Sequence, residues 1–175
     1  MWKVLKVGVA LGATVILGAA ALSASAATTF EVKTRLSGYQ EVPAISTTAH
    51  GSFRAKITAT GKIKYRLHYD DVEGVSVTQS HIHFGQRGVN GGITVFLCSN
   101  LGNGPAGTPA CPAAPATVEG TLTADDMVAG AAAQGIDAGE FGELRRAIRN
   151  GFAYVNIHSE TYPSGEARGQ LHTIE

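Results

Sequence analysis

Ser52-Phe53-Arg54-Ala55-Lys56-Ile57-Thr58-Ala59-Thr60-Gly61-Lys62-Ile63-Lys64-Tyr65-Arg66-Leu67-His68-Tyr69 is the stretch that decides the fold. Phe53, Ala55, Ile57 and Ala59 alternate with Ser52, Arg54, Lys56 and Thr58. Beyond Thr60-Gly61, Ile63, Tyr65, Leu67 and Tyr69 alternate with Lys62, Lys64, Arg66 and His68. Side chains of an extended strand point to opposite faces in turn, so this pattern predicts two antiparallel strands, each with one dry and one wet face, and Ala59 to Lys62 closes them as a hairpin. His68 falls on the wet face and reads as a solvated residue, as does His50 at a strand start.

Working outward, Phe30, Val32, Thr34 and Leu36 repeat the alternation upstream. Downstream, Val75 to Phe84 predicts a strand running into the turn-rich Gly85 to Gly92. Ile93 to Leu97 is continuously apolar, as in a strand buried on both faces, and Thr117 to Leu122 is a further short strand. The period then changes. Thr123-Ala124-Asp125-Asp126 has the threonine cap and acidic first turn of a helix start, and Ala138 to Asn150 places Phe141, Leu144 and Ile148 on one helical face ending at Gly151. Phe152 to His158 and Glu166 to Ile174 flank Tyr162-Pro163-Ser164-Gly165 and are expected to pair as a hairpin. Short strands with one helical excursion predict an all-β chain, an antiparallel Greek-key β-sandwich with a short helical insertion, whose strand order the sequence leaves open.

The N-terminus, with Lys3 and Lys6, an apolar run from Val7 to Leu22 and Ala24-Ser25-Ala26, has the order of a secretory signal peptide. Residues 1–26 are read as that signal and 27–175 as one domain; the alternative is a retained membrane helix, since the run approaches spanning length. Removing Lys3 and Lys6 leaves 12 basic against 14 acidic side chains, a formal charge of −2. That balance gives no electrostatic reason to bind nucleic acid or an anionic membrane. Cys98 and Cys111, directed to an oxidising compartment, predict a disulfide across a Gly/Pro/Ala-rich loop; a metal or redox pair calls for a shorter spacing such as C-x-x-C.

Three of the six histidines stand in strand-like blocks: Ser80-His81-Ile82-His83-Phe84-Gly85 and Asn156-Ile157-His158-Ser159. Strand parity puts His81 and His83 on one face with Cβ atoms about 7 Å apart, close enough to converge on one ion. With His158 they form a candidate site for one copper or zinc ion, since three neutral imidazoles suit either and leave a position for water. The plainer reading is that they satisfy hydrogen bonds at a strand end. Glu166 and Arg168 alternate onto one face of the last strand, either as a carboxylate–guanidinium pair, as groups that orient a histidine, or as a surface ion pair. His172, near the C-terminus, is left out of the site.

Leu36-Ser37-Gly38-Tyr39-Gln40-Glu41-Val42-Pro43, Ser80-His81-Ile82-His83-Phe84-Gly85, and Asn156-Ile157-His158-Ser159 followed by Tyr162-Pro163-Ser164-Gly165-Glu166-Ala167-Arg168-Gly169-Gln170-Leu171 together resemble the CHRD domain, the module named after chordin. The resemblance implies an extracellular β-rich module, found singly in bacterial secreted proteins and repeated in chordin, and implies no established activity. A fainter similarity is to Cu/Zn superoxide dismutase, which also carries a His-x-His pair on a strand. This chain offers no His or Asp between Gly85 and Asp125, so at most a mononuclear site is expected. No G-x-S-x-G, H-E-x-x-H, C-x-x-C or phosphate-cradling motif points to catalysis. The expected function is a non-catalytic extracellular binding or scaffolding module for a protein or other ligand, with mononuclear metal binding as the alternative. No nucleic-acid partner is expected, nor a membrane one after signal cleavage.

Overall fold

A computed structural model describes residues 28–74 and 76–174 of the chain. The expected signal, residues 1–26, lies outside them. The strands are β1 (Phe30–Ser37), β2 (His50–Ile57), β3 (Ile63–Asp70), β4 (Val77–Phe84), β5 (Gly92–Ser99), β6 (Ala116–Leu122), β7 (Ala153–Ser159), β8 (Ala167–Gln170) and β9 (His172–Ile174). All pair antiparallel, along the path β5-β4-β7-β8-β1-β2-β3-β6, with β9 also on β1. β6 lies beside β3 and β7 beside β4, each reached by a connection that skips two strands, so neither pair is a local hairpin. The path folds over so that its two halves share one apolar core, and the Tyr65 hydroxyl on β3 donates to the Leu97 carbonyl on β5 at 2.7 Å. The fold is the expected all-β sandwich.

The alternating strands behave as their period dictates. Phe53, Ala55 and Ile57 on β2 and Ile63, Tyr65, Leu67 and Tyr69 on β3 are buried, and the residues between them lie outside the core. Phe53 stands opposite Leu67 and Ile57 opposite Ile63, so the connection is the longer Thr58 to Lys62 loop, with Gly61 in the left-handed region at φ 82°. The helical excursion is shorter than expected. At Thr123 only a 3-10 turn forms, Ala124–Asp126, where the Asp126 carboxylate accepts the Thr123 backbone N–H at 2.7 Å. The helix α1 spans Phe141–Arg149, and Phe141, Leu144, Ala147 and Ile148 form its buried stripe. Ala138 and Gly139 are spent on the preceding turn, with Gly139 at φ 83°.

The last predicted strand is two strands. β8 lies between β7 and β1 and pairs with β7 as the expected hairpin; at buried Leu171 the β7 partner runs out, and β9 continues on β1 in the register set by Ser37 opposite Arg168. Cys98 and Cys111 are joined. Inside the closed loop the Asn100 side chain donates to the Cys111 and Val77 carbonyls, both at 2.8 Å, fastening a segment without a core of its own to β4. Among the described residues no helix is long and apolar enough to cross a membrane.

Candidate metal centre

β4 lies between β5 and β7, so a side chain on it has neighbours on both sides. The register sets His81 beside Asn156 of β7 and Phe96 of β5, His83 beside Tyr154, and Gln79 beside His158. Ile82 and Val155 point into the core. His81, His83, Phe96, Tyr154, Asn156 and His158 therefore share the opposite face, which loops cover in place of water. His81 is fully buried and His83 and His158 are each 7% exposed.

The ring nitrogens of His81, His83 and His158 lie within 4.8 Å of one another. The His81 ring meets those of His158 and His83 edge-on, at centroid distances of 5.0 and 5.3 Å, and Phe96 at 4.5 Å. His158 Nδ1 donates to the Pro163 carbonyl at 2.9 Å, which leaves its buried Nε2 as an unpartnered lone pair. His83 Nδ1 stands 2.9 Å from the Gly91 carbonyl and its Nε2 3.0 Å from Asn156 Oδ1, so both ring nitrogens face acceptor oxygens. A neutral ring has one N–H and donates to one of these two oxygens; with Nδ1–H on Gly91, the Nε2 lone pair is open to a metal once the Asn156 amide turns its oxygen away. Both nitrogens of His81 are buried without a partner. Burial holds the His81 pKa down to about 2, with His158 and His83 adding to the shift and Asn156 opposing it. Burial likewise brings His83 to about 4 and lowers His158. All three are neutral at pH 7, the form a metal requires.

The two residues expected to attend the histidines part company. Arg168, 1% exposed, lies 3.3 Å from the Tyr154 ring centroid, and that ring stacks on His83 at 4.6 Å with 4° between planes. Arg168 thus bears on His83 through an intervening tyrosine. Its guanidinium donates to Asn90 Oδ1 and to the Gln86 and Val89 carbonyls, not to Glu166. The carboxylate–guanidinium pair and the surface ion pair are both corrected by this geometry, because each group is buried and committed elsewhere. Glu166 Oε1 accepts from Thr47 Oγ1 at 2.7 Å and from the Glu73 backbone N–H at 2.8 Å, and no hydrogen bond joins it to a histidine. His50 and His68 lie apart from the cluster, on the wet face.

Residues 32–171, 140 of the chain's 175, match the model of the CHRD domain. The chain belongs to the CHRD family. No curated protein matches it. Within this CHRD domain the sequence left one buried acid without a role. Glu41, 7% exposed, has a carboxylate packed where a Cβ on Gly165 would stand, 2.7 Å from Oε1, and Gly165 takes φ 128°. Burial raises the Glu41 pKa to about 7 against the pull of Arg168 and Asn156. The signal was its place in Gly38-Tyr39-Gln40-Glu41-Val42-Pro43; alternation, which ends before that segment, carries none.

Proposed function

We propose that this CHRD domain is a non-catalytic extracellular binding module whose β4–β7 face takes up one zinc or copper ion on His81, His83 and His158. His81 carries the reading. An imidazole with both nitrogens buried and unpartnered costs about 1–3 kcal/mol per group, and a metal bond removes that penalty. The donors suit the ion, being neutral imidazoles, two of them fixed by Nδ1–H bonds to backbone carbonyls, as metal-ligating histidines usually are. Bonds of about 2.1 Å hold two nitrogens no more than about 4.2 Å apart, so binding draws the trio inward and frees His83 Nε2 from Asn156. The burial of the cluster favours an ion that staples β4 to β7 over one that meets a substrate. Export is supported by family membership, the disulfide and the signal-like N-terminus.

Calorimetric titration of chelator-stripped protein with Zn(II) and Cu(II) tests the reading. One ion per chain is expected, abolished by His81→Ala with His83→Ala and unchanged by His50→Ala or His68→Ala. Binding no tighter than millimolar for both ions overturns it, and the trio is then a packed structural element, its rings edge to edge and His83 and His158 tied to backbone carbonyls.

A further inference from the structure

The small net charge conceals a one-sided distribution. Alternation in β1, β2 and β3 sends Lys33, Arg35, Arg54, Lys56, Lys64 and Arg66 to the exposed outer face of a single meander. The register sets like charges against each other, Arg54 between Lys33 and Arg66 and Lys56 opposite Lys64, with Glu31 opposite Lys56 as the one acid in these three strands' exposed row. Directly opposed like charges destabilise a sheet. Acids on this face are few, and among the described residues its one carboxylate–guanidinium pair is Arg66 with Glu119 of β6, at 2.7 Å. Beside this row a cleft of about 580 Å³ gathers Lys33, Arg35, Arg54 and Arg87, with Gln40 and His172 at its wall. Arg87 is steadied there by Gln40 Oε1 at 3.4 Å and His172 Nε2 at 3.3 Å.

We propose that this face docks an anionic extracellular polysaccharide, with Lys33, Arg35, Arg54 and Arg87 holding its sulfates or carboxylates in the cleft and Lys56 and Lys64 extending the track. Cations about 5 Å apart across strands and about 7 Å apart along them match a ligand carrying charge at intervals, not a single anion. Gln40 and Ser52 add amide and hydroxyl groups for sugar hydroxyls. None of the exposed large apolar residues lines the cleft, and a lone Tyr39 in the adjoining depression beside Gln40 and Arg87 is too little to wedge into a bilayer or to stack successive bases. The proposal is independent of the histidine cluster.

Binding of the full exported chain to labelled, size-defined dextran sulfate tests it, with neutral dextran alongside, at 50 and 500 mM NaCl. Binding to the sulfated chain alone is expected, weakened at least tenfold by the higher salt. The variant Lys33→Gln, Arg35→Gln, Arg54→Gln, Arg87→Gln is expected to bind at least tenfold more weakly. Arg145→Gln with Arg149→Gln, which removes charge from α1, is expected to change affinity less than twofold. No affinity for dextran sulfate, an equal loss from the α1 variant, or equal affinity for vesicles of anionic phospholipid overturns the proposal. Should the fourfold variant fail to fold, Arg54→Gln alone is expected to weaken binding two- to fivefold, and an unchanged affinity overturns the proposal.

Discussion

His81 illustrates how one residue can be both readable and opaque. Parity placed it beside His83, and the ring nitrogens do lie together; what parity could not show is that loops cover this face and leave both His81 nitrogens dry. The covering groups come from distant segments: Gly91 meets His83, and Pro163 meets His158. Glu41 was missed for the same reason. A polar group without partners is better replaced by an apolar group of similar shape than kept. His81→Phe is therefore expected to raise the thermal midpoint of the metal-free protein by about 2–4 °C, for a gain of about 1 kcal/mol in a domain of this size, while abolishing any midpoint rise on adding Zn(II). Thermal melts with and without the ion check both halves. A drop in the metal-free midpoint would mean that His81 is held by interactions the geometry does not reveal.

At the scale of elements, legibility follows wetness. β1, β2 and β3 were readable because one face meets solvent and the other the core, so hydrophobicity reports the period directly. β7 is buried at all seven positions, polar Asn156 and His158 included, and its second face shows no apolar signature. Glu166 to Ile174 looked like one strand because its pairing with β1 does run through Leu171 in one register, and only the β7 partner ends there. The Cys98–Cys111 loop was legible from composition alone, having Gly, Pro and Ala but nothing to pack. Its bridge closes a separation of 13 residues, worth about 3 kcal/mol in the chain-entropy model. Cys98→Ser with Cys111→Ser is expected to lower the urea midpoint by roughly that amount divided by the unfolding slope, with the slope little changed. A loss under about 1 kcal/mol would show that the Asn100 bonds to β4 and Cys111 hold the loop without the bridge.

For the molecule as a whole, the buried face acts through linkage. The unfolded chain takes up protons on His81, His83 and His158 near pH 6.5, whereas the native rings resist protonation, His81 down to about 2 and His83 down to about 4. Their stabilisation is thus fully present above pH 6.5 and is lost as pH falls toward those native values, at up to about 1.4 kcal/mol per pH unit for each ring. Glu41 has the opposite sign. Its native pKa of about 7 stands above the ordinary 4.5, so its contribution is present below pH 4.5 and fades as pH rises through 7. Between pH 4.5 and 6.5 three histidines pull stability up with pH and one glutamate pulls it down. Denaturant melts of the metal-free protein at half-unit intervals are expected to show stability falling as pH drops through this window, and Glu41→Gln is expected to steepen the fall. A slope indifferent to Glu41→Gln would mean that its carboxyl titrates as it does in water, and a stability that rises on acidification would place the histidines in solvent.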